Sequence, residues 1–270
     1  MAINDNSWNL EKLERQAISN QNYDEFILNQ SGILNAKNLK VLDIGCSNGF
    51  KTKMLFDQYS NIDYIHGIDI DDNAIDEANK NFQNSSKYLF EKMTIDELDK
   101  NIKYDIILLS YVLQHIEKPK EFLTKIKHFL SDRGVLIIKV PDDSFKICYP
   151  DEEDLLHKIF ELYENNIMRK QNTTKYTDRY IGKKVNTYLK ETGYNNIKLY
   201  YYVNDTVNKT KKEKENIFKT TISFRTAEGK TNIDEEIKNK MKNYLEKFKN
   251  IFMDDNFYYS MTVLYYIAKK

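Results

Sequence analysis

Cysteine, net charge and long apolar runs are all scarce in this 270-residue sequence. Cys46 and Cys148 are the only cysteines, too few for a disulfide framework or for the repeated cysteine pairs of a zinc site. Lysine and arginine together number 41, as do aspartate and glutamate, so no net charge attracts a polyanion. Nucleic acid is therefore not expected as a partner.

The first residues, MAINDNSWNLEKLERQ, lack a basic segment followed by an apolar core, and no apolar run has membrane-spanning length. We therefore expect no membrane partner and a cytoplasmic location, where cysteines stay reduced. A hydrophobic content of 41% in 270 residues suffices for one main domain with a smaller appended part.

Short apolar segments alternate with amphipathic ones between residues 39 and 140. We predict an α/β fold with a Rossmann-like, doubly wound, mostly parallel sheet, an antiparallel last strand and a helical lid insertion. The predicted strands are 40–44, 64–69, 87–92, 104–110, 135–140, 197–203 and 260–268.

Helices are predicted between these strands from caps and periodicity. Asp72 is the predicted cap of one helix, and Pro119 is the predicted first residue of another. A helix over 178–192 would end before Gly193, and Asn232 with Glu235 resembles a capping box.

The pattern predicts three parts. Residues 1–36 form a helical cap, residues 37–203 and 260–270 form the sheet domain, and residues 204–259 form an insertion. We interpret the insertion as a lid near the substrate pocket.

The most informative segment is VLDIGCSNGF, residues 41–50, a predicted strand that enters a small, glycine-bearing turn. Gly45 and Gly49 let the backbone approach a ligand closely, and Asp43 can accept hydrogen bonds from a cationic amine. The spacing differs from GxGxxG, which places a pyrophosphate at a helix N-terminus. An acid before two glycines four residues apart favours a ligand with an amino acid group and no phosphate.

A second acid, Asp69, ends the next predicted strand, where a carboxylate can accept hydrogen bonds from both hydroxyls of a ribose. Ile70 then offers an apolar face to adenine. Asp43 or Asp69 alone could equally be a turn or capping residue, but the pair at this spacing favours a nucleoside ligand.

Four runs, VLDIGCSNG, GIDID, YDIILLSYVLQHIEKPKEFL and DRGVLIIKVPD, resemble motifs of the class I S-adenosylmethionine (SAM)-dependent methyltransferases, small-molecule type. The resemblance covers residues 39–141 closely. It implies SAM as the cofactor, methyl transfer to an acceptor, and S-adenosylhomocysteine (SAH) as the product. Ser47 stands where the family usually has glycine, but the geometry tolerates a small residue.

The resemblance implies a cofactor site in three parts: methionine, ribose and adenine. Its predicted members are Asp43, Gly45, Cys46, Ser47, Gly49, Asp69, Ile70, Met93, Thr94, Ser110, Tyr111 and Arg15. Met93 and Thr94 stand where relatives often have an acid at the adenine edge, so the adenine amine needs another acceptor. Ser110, beside Tyr111, would lie near the sulfonium, and Arg15 could reach the carboxylate of SAM or be a solvated surface residue.

Methyl transfer from a sulfonium is an in-line displacement with an activated donor, so the protein chiefly aligns the acceptor and excludes water. A hydroxyl acceptor benefits from a base. His115 is the candidate catalytic residue, and the alternative is a histidine that holds its loop by hydrogen bonds.

Acceptor contacts are predicted at Tyr149, Asp178 and Arg179. Tyr149 follows the fifth strand, which ends at the carboxyl edge of the sheet. Asp178 could cap its helix while Arg179 orients an acidic group of the acceptor, or the two residues could form an internal ion pair. Asp142 and Asp143 are adjacent acids without further oxygen ligands, so no metal is predicted.

The predicted function is SAM-dependent methyl transfer to an oxygen or nitrogen atom of a small-molecule metabolite. Residues 110–113 read Ser-Tyr-Val-Leu. They lack the Pro-Pro by which methyltransferases of the exocyclic amines of bases resemble one another at this point. The alternatives are a tRNA or rRNA methyltransferase, a SAM-binding partner or sensor without turnover, and a nicotinamide oxidoreductase. The acceptor and the oligomeric state stay open.

Overall fold

The structure is a computed structural model that describes residues 10–168, 176–228, 230 and 232–270. The chain divides into two compact units. The first comprises Met1–Pro141, Arg179–Tyr202 and Val263–Lys270, and the second comprises Asp142–Asp178 and Val203–Thr262. This division differs from the predicted one, because residues 142–178 join the insertion and the N-terminal helix joins the sheet.

The first unit is built on a sheet flanked by helices. Its strands are β1 (Leu39–Ile44), β2 (Ile62–Asp69), β3 (Tyr88–Lys92), β4 (Tyr104–Ser110), β5 (Leu130–Pro141) and most of β7 (Asn195–Asp205) and β8 (Tyr258–Lys269). Its helices are α1 (Leu10–Gln30), α2 (Phe50–Phe56), α3 (Asp72–Phe82), α4 (Pro119–Phe129) and α6 (Val185–Glu191).

The strand order in this unit is β3-β2-β1-β4-β5-β8, and β7 also pairs with β8. The first five strands are parallel to their neighbours, whereas β8 runs antiparallel to β5. The predicted Rossmann-like, mostly parallel sheet with an antiparallel last strand is confirmed. Strand order reverses between β1 and β4, and such a reversal opens a ligand crevice at the carboxyl ends of the strands.

The central strands β1, β4 and β5 are almost fully buried, as expected for parallel strands covered on both faces. Helix α4 begins at Pro119 as predicted and buries Leu123, Ile126 and Phe129 on one face. These side chains pack with the strands in the main hydrophobic core. The apolar runs of the sequence therefore place the carboxyl ends of β1, β2 and β4 side by side.

The predicted cap of α3 is wrong by one residue. Asp71 is the N-cap, and its carboxylate accepts hydrogen bonds from the N–H groups of Asn73 and Ala74. Asp72 is the first residue of the helix itself, because the extended backbone that a capping residue needs occurs at Asp71.

Two other predicted helix starts are also wrong. The helix predicted over 178–192 begins as a 3₁₀ turn at Gly182–Lys184 and continues as α6, because residues 179–180 form a turn. Asp178 therefore does not cap it. Helix α8 (Glu235–Phe252) follows Asp234, which makes no side-chain capping bond, so Asn232 and Glu235 form no capping box.

The second unit contains β6 (Ile147–Tyr149), α5 (Leu155–Asn166), α7 (Lys211–Thr221), α8 and the first residues of β8. Strand β6 runs antiparallel to β8, from Ile147 opposite Ser260 to Tyr149 opposite Tyr258. The unit has its own aromatic-rich core, which includes Leu155, Ile159, Phe218, Met241, Phe248, Phe252 and Phe257. The insertion is helical, as predicted.

A buried ion cluster in the second unit involves one of the two adjacent acids. The carboxylate of Asp143 accepts from Arg225 Nη2 at 2.8 Å and lies 2.8 Å from Lys146 Nζ. The Arg225 guanidinium lies 4.1 Å from the Phe160 ring centroid. Asp142 Oδ1 accepts a hydrogen bond from the N–H of Ser144 at 3.0 Å. Both carboxylates thus act as structural partners of nearby donors.

Among the described residues, every helix is too short or too polar to cross a lipid bilayer.

Gly67 in β2 lies where an added methyl group does not fit. A Cβ there would lie 2.5 Å from two ring carbons of Phe90 and 2.9 Å from Cys46 Sγ. Gly67→Ala should therefore lower the free energy of unfolding by about 1–3 kcal/mol in urea denaturation, because a buried ring must move. A second change, Phe90→Leu, should recover part of the loss. Equal stability of Gly67→Ala and wild type would contradict this packing.

Candidate active site

The turn after β1 has a backbone that requires glycine. Gly45 and Gly49 have φ of 75° and 73°, in the left-handed region. A Cβ at Gly45 would overlap Val112, and one at Gly49 would lie 2.7 Å from the Phe90 ring. Ser47 also has a left-handed φ, 52°, and its N–H donates to Asp69 Oδ2 at 2.8 Å. The turn is thus held by the second acidic residue of the predicted site.

Cys46 in this turn does not present its thiol to a ligand. Its side chain is buried in a small core with Ile75, Ala78 and Phe90. Burial raises the pKa of the Cys46 thiol well above its ordinary value. Cys46 could therefore contact a methionine group only through its backbone.

Asp43, at the carboxyl end of β1, holds a carboxylate with one unsatisfied oxygen. Its Oδ2 accepts from Thr52 Oγ1 at 2.6 Å. Its Oδ1 is buried and has no hydrogen-bond partner within the described parts of the chain. Burial raises the pKa of Asp43 to about 6, although the Thr52 hydrogen bond and the Lys51 charge oppose it. A buried acceptor without a donor is costly, so this oxygen is suited to a cationic amine.

Asp69 at the end of β2 is half-buried and held by two backbone donors. Besides Ser47, the N–H of Asp71 donates to Asp69 Oδ1 at 3.0 Å. Each carboxylate oxygen keeps acceptor capacity for a further donor, such as a ribose hydroxyl. Ile70 follows with 72% of its surface exposed, available to an apolar ring.

Met93 and Thr94 follow β3, next to Asp69. The N–H of Met93 donates to the Asp69 carbonyl at 3.1 Å. Both the N–H and the hydroxyl of Thr94 donate to Glu97 Oε2, at 2.6 and 2.8 Å. The Thr94 hydroxyl proton is therefore used, and only its oxygen remains as an acceptor for an adenine amine.

The end of β4 carries Ser110 and Tyr111. Ser110 Oγ accepts a hydrogen bond from Lys51 Nζ, which extends from the first turn of α2. Tyr111 has a left-handed φ of 59°, and its N–H donates to the Lys139 carbonyl at 2.8 Å. Burial raises the pKa of Tyr111 above its ordinary range, and the charge of Arg179 opposes this.

Next to Ser110, Lys139 and Asp24 form a buried ion pair that was not predicted from the sequence. Lys139, opposite Ser110 in the β4–β5 register, is 1% exposed. Its Nζ lies 3.0 and 3.2 Å from the two oxygens of Asp24 on α1. Tyr265 on β8 also donates to Asp24 Oδ1, at 2.7 Å. The available signal was one lysine inside the apolar run VLIIKVP.

Burial lowers the pKa of Lys139 to about 7, although the charge of Asp24 opposes it. Burial alone would raise the pKa of Asp24, but the charges of Lys139 and Lys51 and the Tyr265 hydrogen bond hold it below its usual value. The rings of Tyr111 and Tyr265 each lie 5.1 Å from Lys139 Nζ. The pair is therefore ionic below about pH 7, and it is flanked by two aromatic rings.

A family model described as a methyltransferase domain matches residues 35–261, most of the chain. The chain belongs to this methyltransferase family.

Curated relatives of this methyltransferase match its central part. The ubiquinone biosynthesis O-methyltransferase of Rickettsia bellii is 30% identical over 101 residues, which cover 37% of this chain and 41% of the relative. A malonyl-acyl-carrier-protein O-methyltransferase of Acetivibrio thermocellus is 33% identical over 98 residues, covering 36% and 34%. The match thus spans less than half the length of these relatives.

The fold of this methyltransferase is also that of solved structures. The YcgJ protein of Bacillus subtilis superposes with a TM-score of 0.59 at 11% identity, covering 92% of this chain and 98% of that protein. At this identity the similarity shows the fold alone. It agrees with the predicted class I methyltransferase architecture.

His115, the predicted base of this methyltransferase, lies in a 3₁₀ helix (Leu113–His115) directly after β4 and is half-buried. Its Nε2 is 3.3 Å from the side-chain amide nitrogen of Gln114. Which of the two groups donates depends on the tautomer of His115 and on the orientation of the Gln114 amide. Gln114 is itself buried, and its Oε1 has no partner in the part of the chain that the structure describes.

The remaining predicted residues fall in different places. Arg179 belongs to the first unit, where its charge acts on Tyr111. Arg15 is exposed on α1. Tyr149 and Asp178 belong to the second unit, and Tyr149 is 74% exposed on β6. Only Arg179 of the three predicted acceptor contacts shares a unit with the cofactor residues.

Proposed function

We propose that this chain transfers the methyl group of SAM to an oxygen or nitrogen atom of a small-molecule acceptor and releases SAH. The buried Oδ1 of Asp43 carries the proposal, because it is an unsatisfied acceptor beside a turn that excludes side chains. Oxygen is the preferred acceptor atom, since the two curated relatives are both named O-methyltransferases.

The residues present fit SAM. Asp43 would accept from the amine, Asp69 from the ribose hydroxyls, and Ile70 with Met93 would flank the adenine. Bound SAM supplies a methyl group on a sulfonium, which is activated for displacement. The buried strand ends around Asp43 restrict water, which strengthens each polar contact to the ligand.

The acceptor side of the proposal rests on the end of β4. Arg179 would orient the acceptor, since it suits an acidic group, and Tyr111 would border the methionine part of SAM. His115 would take the proton of a hydroxyl acceptor, because it is a half-buried imidazole in the 3₁₀ helix that directly follows β4.

Cofactor binding can be tested by thermal unfolding with and without SAM and SAH. Ligand at about 100 times its dissociation constant should stabilise the wild type by roughly 2.7 kcal/mol, a shift of several degrees. Asp69→Ala should lose most of the shift, because the ribose hydroxyls lose their acceptors. Asp72→Ala is the matched control, since the carboxylate of Asp72 is exposed and pairs with Lys92 at 2.7 Å.

The absence of any shift for the wild type with either ligand would contradict the proposed function. A clear shift without methyl transfer to any phenol, carboxylate or amine in an acceptor screen would instead favour a SAM-binding protein without turnover.

A further inference from the structure

Lys51 places an ammonium group between the ends of β1 and β4. It is the second residue of α2, directly after the glycine-bearing turn, and its side chain is 18% exposed. Its Nζ donates to Ser110 Oγ and lies 3.4 Å from Asp24 Oδ2. The group is thus directed into the predicted methionine region, away from bulk solvent.

Asp24 interacts more closely with Lys139 than with Lys51. Asp24 has closer partners than Lys51, because Lys139 lies 3.0 Å away and Tyr265 lies 2.7 Å away. Lys139 therefore neutralises Asp24, and the charge of Lys51 is only partly compensated. An ammonium group has three donors, and among the described residues Lys51 donates one hydrogen bond, to Ser110, while Asp24 lies at ion-pair distance. Lys51 therefore keeps donor capacity for a further acceptor.

Asp43 presents the opposite charge to the same region. The positive charge of Lys51 acts on its carboxylate, yet the two residues form no direct ion pair in the described ranges. The Lys51 ammonium and the Asp43 carboxylate therefore match the carboxylate and the amine of an amino acid group. Both side chains are largely buried, so their interaction with such a group is weakly screened.

We propose that Lys51 binds the carboxylate of the methionine part of SAM while Asp43 binds its amine. This inference rests on the proposed function. Asp24 is the positioning residue, because its carboxylate, held by Lys139 and Tyr265, fixes where the Lys51 ammonium lies. Arg15, the sequence candidate for the same carboxylate, is exposed, so its attraction would be more strongly screened.

The test compares SAH with its decarboxylated analogue, which keeps the amine and the adenosine. Isothermal titration calorimetry should show that the wild type prefers SAH by about 10- to 100-fold, as expected for a charged hydrogen bond. Lys51→Met should reduce this preference to nearly 1 while binding the analogue as the wild type does. Lys51→Arg should keep a measurable preference, because it keeps the charge.

Lys53→Met is the matched control, because Lys53 lies on the same helix with an exposed side chain and pairs with Asp57 at 2.5 Å. It should keep the wild-type preference. An unchanged preference in Lys51→Met, or its loss in Arg15→Met alone, would overturn the inference and leave the proposed function intact. Failure of the wild type to bind either compound would overturn both. If Lys51→Met weakened the binding of SAH and of the analogue equally, the preference would be unchanged, and this result would also contradict the inference.

Discussion

Asp43→Asn is expected to stabilise the ligand-free protein at pH 7 and to remove most of its affinity for SAM. The Asp43 carboxylate is 3% exposed, and burial raises its pKa from 3.8 to about 6. The folded state therefore binds this proton more tightly than the unfolded state does. The stabilisation of the folded state by this proton is fully present below pH 4 and is lost as the pH rises through 6. The loss amounts to about 3 kcal/mol at pH 7.

Asparagine has no such titration, so the stability difference between Asp43→Asn and wild type should grow between pH 4 and 6 and then level off. Urea denaturation over this pH range measures it. Calorimetry at pH 7 should show that SAM binds the variant about 10- to 100-fold more weakly, since a neutral amide replaces the carboxylate. Equal pH dependence in both proteins, or unchanged SAM affinity, would contradict the role of Asp43. Thr52→Ser, which keeps the donor to Asp43, serves as the control.

The second large effect is expected at the buried pair of Asp24 and Lys139. Asp24→Asn should lower the free energy of unfolding by about 3–5 kcal/mol near pH 6, because it leaves a buried ammonium without its counter-charge. Burial lowers the pKa of Lys139 from 10.5 to about 7, so the folded state binds fewer protons than the unfolded state between these values. Stability from this group therefore rises with pH above 7. The deficit of Asp24→Asn should shrink at pH 9, where Lys139 is already neutral.

A double-mutant cycle separates the pair from its surroundings. Asp24→Leu with Lys139→Met should cost less than the sum of the single changes, because two apolar groups replace two buried charges. Urea denaturation at pH 6 and pH 9 provides the free energies. Strict additivity of the two changes would contradict the coupling. Arg133→Met is the comparison, because Arg133 is 52% exposed and solvent screens its pairing with Asp105, so its loss should have a much smaller effect.

The parallel sheet could be predicted because its signals are local. Each central strand is a short apolar run, and each turn that carries function follows such a run directly. The same locality places Asp43 and Asp69 at neighbouring strand ends, where the N–H of Ser47, in the turn after β1, donates to Asp69 Oδ2 at 2.8 Å. Helix starts were less predictable, because adjacent aspartates such as Asp71 and Asp72 compete for one capping position and only the backbone conformation selects between them.

By itself, the sequence determined the strand-turn segments, the left-handed glycine positions and the identity of the acids at the strand ends. Only the tertiary structure decided which charges meet. Asp24 lies 115 residues from Lys139 and 241 from Tyr265 along the chain. Ion pairing and burial depend on distance and exposure in space, so no local pattern could place Lys51 beside Ser110. The unsatisfied oxygen of Asp43 also depends on the tertiary structure. The folded chain buries this oxygen away from water and, among the described residues, provides no donor for it.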